Sequence, residues 1–221
     1  MRVLIIRPEP GNSATAAAVR AMGHEPVCVP LFEVVPVAWD APDPAKFDAI
    51  AMTSANAARH GGATLDQYRH LPVFAVGEAT AATARDAGFA TISMATGDAA
   101  ALGKTLSGRV LHLAGTDFRR ISTDAYVTVR SVYAATPLDP VRPLDADIAL
   151  VHSARAGERL ALLALKRKSL KIIAISASAA QACGDGWRQL DIPFAPHHDA
   201  MLECLARLCE AGRPSPASPV V

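Results

Sequence analysis

The chain has 221 residues, 22 of them basic and 21 acidic, and 51% are hydrophobic. That balance gives no general electrostatic pull toward nucleic acid or an anionic membrane, and the apolar share excludes disorder for most of the chain. Four cysteines (Cys28, Cys183, Cys204 and Cys209) form neither a CxxC nor a dense framework, so they read as thiols of a reducing compartment.

In chain order, a strand is predicted over 3–6, too short for the core of a signal peptide. No apolar run approaches the length needed to cross a bilayer, and a cytoplasmic protein is expected. A helix over 13–22 stops at Gly23, and extended chain over 26–31 continues through 32–37 toward the prolines of 41–44. Next come strand 49–52, helix 55–60, strand 73–76, helix 79–87 capped by Gly88, strand 91–94 and helix 99–106. After Gly108 follow strand 110–114, a short helix around 118–124 and extended chain over 126–133. Strand 148–151, helix 156–165, strand 170–175, helix 178–183, strand 192–194 and helix 200–209 complete the series. Short strands that are apolar throughout suit parallel sheets covered on both faces, and alanine-rich helices suit close packing on them. The proline- and serine-bearing residues 212–221 read as a disordered tail.

The pattern is written twice. Ala49-Ile50-Ala51-Met52-Thr53-Ser54-Ala55 returns as Ile148-Ala149-Leu150-Val151-His152-Ser153-Ala154, and Val73-Phe74-Ala75-Val76 as Ile172-Ile173-Ala174-Ile175. Arg2-Val3-Leu4 recurs as Arg109-Val110-Leu111. A spacing near one hundred residues is too long for a solenoid and points to two domain-sized units, with a ligand expected between them. The repeat alone is equally compatible with sequential units.

In an open parallel sheet the ligand crevice lies beyond the C-terminal strand ends. Small polar residues fall there in both copies: Thr53, Ser54, Gly77, Thr80, Gly97, Gly115, Ser153, Ser176 and Ser178. Helix capping explains each one singly; the matched set points to an acidic ligand with many contacts. Arg7, Arg119 and Arg155, each following a strand end, are the basic candidates for its carboxylates. Nucleotide readings fail: Arg7-Pro8-Glu9-Pro10-Gly11 lacks GxGxxG, its prolines remove N–H donors, and no GxxxxGK[ST] occurs. His197-His198-Asp199 lacks metal-ligand spacing, and Asp199 is expected to cap the last helix. No GxSxG elbow is present to expose a serine nucleophile. Tyr133 ends an extended run at the position matched by Phe32, and a hydroxyl gained at one of two equivalent sites marks a candidate catalytic donor.

In order and spacing, these segments resemble the uroporphyrinogen-III synthase family. The resemblance runs through Arg2-Val3-Leu4 with Arg7, Ala51-Met52-Thr53-Ser54-Ala55-Asn56-Ala57 and Val76-Gly77-Glu78-Ala79-Thr80-Ala81. It continues through Gly97-Asp98, Val110-Leu111 with Gly115 and Arg119, Val132-Tyr133 with Pro137, Val151-His152-Ser153 and Ile175-Ser176-Ala177-Ser178-Ala179. It implies an α/β protein of two similar lobes, parallel sheets flanked by helices, joined by two extended crossing segments. One lobe would take 1–34 and 138–211, the other 38–130, with 35–37 and 131–137 as connectors.

The implied activity is conversion of the linear tetrapyrrole hydroxymethylbilane to uroporphyrinogen III, with loss of water and inversion of ring D. It implies a monomer with a small-molecule substrate and neither cofactor nor metal. Tyr133 falls at the family's important tyrosine, where it would donate to the departing hydroxyl, and the small polar residues above would bind carboxylates. The chain departs from the family at Ser176-Ala177-Ser178-Ala179, where relatives usually carry Gly-Pro-Thr-Thr or Gly-Pro-Ser-Thr. A non-catalytic two-lobed sensor of a small anionic metabolite is the alternative.

Overall fold

The computed structural model describes residues 1–95 and 99–211, with the side chains of 210 and 211 outside the description. Gly97 and the expected tail 212–221 lie outside the described residues. The chain divides into two compact units, Met1–Glu33 with the chain from Pro137 onward, and Val34–Thr136.

The first unit holds a five-stranded sheet of β1 (Arg2–Ile5), β2 (Glu25–Cys28), β9 (Ile148–Val151), β10 (Lys171–Ala174) and β11 (Gln189–Asp191), ordered β11-β10-β9-β1-β2. The second sheet has six strands: β3 (Phe32–Pro36), β4 (Ala49–Met52), β5 (Val73–Val76), β6 (Ile92–Ala95), β7 (Arg109–Gly115) and β8 (Tyr126–Pro137). Their order is β3-β8-β7-β4-β5-β6. Every pair from β11 to β2 and from β8 to β6 is parallel. The orders superpose when β9, β10, β11, β1 and β2 stand for β4, β5, β6, β7 and β8. The first unit is therefore a circularly rearranged copy of the second, completed by the N-terminal strand entering between β9 and β2.

Burial explains the strand sequences. All four residues of β4 and of β9 are buried, because helices cover both sheet faces. Fully buried side chains such as Ile50 and Leu150 contribute about 1.5–3 kcal/mol each. The helices are α1 (Gly11–Ala21), α2 (Ala55–His60), α3 (Glu78–Asp86), α4 (Ala99–Gly103), α5 (Ala154–Leu163), α6 (Ala177–Cys183) and α7 (His198–Ala211). Small residues let them approach closely: a Cβ on Gly157 of α5 would stand 2.9 Å from the Ala179 carbonyl of α6. Gly23 ends α1 as expected, with a positive φ of 78° and the paired bonds Gly23 N–H to Arg20 O and His24 N–H to Val19 O.

Three local expectations are corrected. Residues 118–124 form no helix; the segment runs irregularly, and Ile121 packs beside Leu102, Leu106 and Val110. The last strand is Gln189–Asp191 rather than 192–194. Pro193 cannot donate to a ladder, and Ile192 and Phe194 are exposed. The final helix is capped by His197, whose Nδ1 accepts the Ala200 N–H at 3.2 Å, and Asp199 lies inside the first turn. No helix among the described residues is long and apolar enough to cross a membrane.

Candidate active site

In the second unit, the order β8-β7-β4-β5 sets three strand ends side by side. Gly115 closes β7, Thr53 and Ser54 follow β4, and Gly77 follows β5. Tyr133 joins them through a backbone irregularity. Residues 109–114 pair one to one with 126–131, and then Gly115 pairs with Tyr133, leaving Val132 as the extra residue of a bulge. Val132 is fully buried, its carbonyl accepts the Val37 N–H, and Tyr133 O accepts the Thr116 N–H. A bulge re-aims the side chain that follows it. Here the Tyr133 ring comes to rest on Gly115, where an added Cβ would lie 2.6 Å from Cε2 and 2.8 Å from Cζ. The His60 ring flanks it at 6.3 Å between centroids. Tyr133 is half-buried, and its hydroxyl has no hydrogen-bond partner among the described residues.

The serines serve as helix caps. Ser54 Oγ accepts from Asn56 N–H, Ser153 Oγ from Ala156 N–H at 3.1 Å, and Ser176 Oγ from Ala179 N–H. Capping uses the oxygen as acceptor and leaves the O–H available to donate to an anion, so the two roles are compatible. Ser153→Ala is expected to cost about 1 kcal/mol of stability, whereas Ser153→Gly costs a few tenths. A KM that rises equally in both variants, against unequal losses of Tm, would isolate the hydroxyl's contribution to binding.

The other candidates separate. Gly77 caps α3 at a φ of 75°, with open space where a side chain would start. Thr80 lies in the first turn of α3 but is only 5% exposed, on the packed side with Ala81 and Ala84. Arg119 is exposed in the irregular segment. In the first unit, Arg7 follows β1, Ser153 follows β9, and Ser176 and Ser178 follow β10, three adjacent strands. Ser178 is exposed, with its hydroxyl 3.0 Å from that of Ser176. The Arg155 guanidinium stacks 4.9 Å from the ring centre of Phe32, the buried counterpart of Tyr133.

His112 and His152 are functional candidates that sequence reasoning missed, and His198 entered it only within a triplet that lacks metal-ligand spacing. His112, inside β7, is fully buried, with Nε2 3.3 Å from Thr53 Oγ1 and no partner at Nδ1. With Nε2 as donor, the Thr53 O–H is left to face a ligand. Burial lowers the His112 pKa to about 4. Between pH 6.5 and 4 the unfolded chain takes up a proton that folded His112 refuses, so stability falls as pH falls, by roughly 3 kcal/mol over that window. Urea midpoints measured from pH 7 to 4 should show this slope, and His112→Gln should remove the His112 share of it, leaving the part that the likewise lowered His152 contributes. His152 and His198 meet in the first unit, with Nε2 of one 3.3 Å from Nδ1 of the other. Their only sequence signal was a polar ring beside an apolar strand and another at a helix start; the contact joins residues far apart in the chain.

Residues 13–203 match the family model described as uroporphyrinogen-III synthase HemD. Among solved structures, the fold is similar to uroporphyrinogen-III synthetase from Helicobacter pylori, with a TM-score of 0.64 and 18% identity, covering 94% of this chain and 100% of that one. It is also similar to a mutant uroporphyrinogen III synthase from the extremely thermophilic bacterium Thermus thermophilus, with a TM-score of 0.55 and 16% identity, covering 96% and 99%. A search of curated proteins gave no match.

Proposed function

The chain belongs to the uroporphyrinogen-III synthase family, and on that premise we propose that Tyr133 is the proton donor of its reaction. That reaction closes the linear tetrapyrrole hydroxymethylbilane into uroporphyrinogen III, with loss of water and inversion of ring D. The observation that carries the assignment of Tyr133 is its seat: a bulge turns the ring onto Gly115 and leaves its hydroxyl unengaged among the described residues.

The chemistry suits a neutral donor. The C–O bond of the hydroxymethyl group breaks as the Tyr133 proton passes to the leaving oxygen, releasing water and an azafulvene electrophile. The substituted carbon of ring D attacks to give a spiro-pyrrolenine, which opens and recloses with the ring reversed. The proton lost when the last pyrrole regains aromaticity restores the phenol. A cation-like intermediate would be opposed by fixed positive charge at this point, whereas a phenol donates without adding any. Because the substrate also closes unaided to the uninverted isomer, holding one folded conformation matters as much as bond breaking.

We assign the eight substrate carboxylates to Thr53, Ser54, Gly77, Ser153 and Ser178, with Arg7, Arg119 and Arg155 as the cationic contributors. The reading includes a monomer acting in the cytoplasm without a cofactor. Supplying the purified chain with freshly generated hydroxymethylbilane and separating the oxidised products tests it. Type III isomer is expected, and type I alone would overturn the assignment.

A further inference from the structure

The first unit carries a cluster of titratable groups that the Tyr133 chemistry does not use. Arg7 leaves β1, His152 leaves the neighbouring β9, and His198 opens α7. The two imidazoles meet at 3.3 Å, with ring centres 5.5 Å apart. A neutral pair places one hydrogen between those two nitrogens, so each ring's ability to donate depends on the other.

Arg7 lies over the start of α1. A Cβ on Gly11 would fall 2.4 Å from its Nε, and its Nη1 reaches Thr15 Oγ1 at 3.5 Å. It is half-buried, and no carboxylate pairs with it among the described residues. Burial lowers the Arg7 pKa. Burial first, then Arg7 and His198, lower that of His152 to about 3. Burial and then Arg7 also lower that of His198, while Asp199 opposes them. Arg7 and Asp199 are thus the charged groups acting on the pair from the elements around it. A half-buried cation without a counter-ion among the described residues, beside two imidazoles kept neutral by burial and further opposed by its charge, is an arrangement completed by an anion.

We propose that Arg7, His152 and His198 form a carboxylate subsite whose filling is accompanied by uptake of one proton onto the histidine pair. The inference rests on the substrate reading above, which supplies the carboxylates. A carboxylate paired with Arg7 cancels the guanidinium's part in opposing protonation, and its own negative charge beside the rings offsets the cost of burying an imidazolium. The imidazolium so formed donates one N–H across the pair and has its other N–H for hydrogen bonding. Affinity for the anion then rises as pH falls below the pair's titration point in the complex, by up to tenfold per pH unit, and is flat above it.

Two measurements on the full chain test this. Calorimetry with anaerobic uroporphyrinogen III at pH 6.5, in two buffers of different ionisation enthalpy, should count close to one proton taken up per complex. His152→Asn should bring that count toward zero, and Arg7→Gln should weaken binding about tenfold or more and also abolish uptake. No uptake in the native chain, or uptake unchanged in both His152→Asn and His198→Asn, overturns the proposal. In the second measurement, histidine ring-proton titrations with and without sodium citrate need no turnover. An upward shift of the pair's midpoint with citrate, lost in Arg7→Gln, supports the anion subsite even if only type I isomer is formed. Type III formation without uptake would remove the subsite and leave the enzyme reading standing.

Discussion

Replacing Tyr133 with phenylalanine is expected to lower kcat about 100-fold or more and to leave KM within a few-fold, the pattern of a proton donor used only in the transition state. The variant is a clean subtraction. The ring, which carries the packing against Gly115 and the neighbouring core, is retained. The hydroxyl removed has no partner among the described residues, so folding has little to lose and Tm should stay within a degree or two. Single-turnover measurement with fresh hydroxymethylbilane separates chemistry from product release. The isomer ratio adds a second readout: if the phenol acts only on the departing hydroxyl, the slow product that the enzyme still makes is type III, and type I grows only from unaided closure. An unchanged rate would take Tyr133 out of the mechanism and leave conformational control as the enzyme's main contribution.

The repeated parts of the chain were the most legible. β4 and β9 are uninterrupted apolar quartets bounded by Thr53-Ser54 and His152-Ser153, and such runs identify themselves as buried parallel strands with capped helices behind them. Gly23 and Gly88 announced helix ends because only a residue free to adopt positive φ completes those turns. What stayed hidden depends on contacts between distant residues. Ile192-Pro193-Phe194 looks more strand-like than Gln189-Leu190-Asp191, yet register with Lys171–Ile173 selects the latter. The cap at His197 and the approach of His198 to His152 are invisible in local pattern, because a histidine at a helix start carries no signature of its partner. The bulge at Val132 is likewise silent: nothing in Ser131-Val132-Tyr133 says that Val132 will lose its pairing to Gly115. Tyr133 could be picked out as the departure from Phe32, but the reason it differs in setting lies in that bulge and in the absence of a side chain at Gly115.

Gly115→Ala therefore carries the second large prediction. Its new Cβ would begin 2.6 Å from Tyr133 Cε2, about 1 Å inside ordinary carbon contact. The backbone there is pinned by the Thr116 N–H to Tyr133 O bond, and Ser131 Oγ reaches the Gly115 carbonyl. The flexible part of the contact is the ring, so the ring moves. A misplacement near 1 Å at the reacting group costs on the order of 100-fold, which sets the expected loss in kcat. Combining the substitutions distinguishes displacement of the donor from general damage. If Gly115→Ala acts by moving the hydroxyl, it should cost less than about threefold more in a Tyr133→Phe background, where there is no hydroxyl left to misplace. Independent losses that multiply to about 10,000-fold would show that Gly115 serves the reaction by some other route, such as access of the substrate to the strand ends. The proton-donor role assigned to Tyr133 would then rest on the hydroxyl substitution alone.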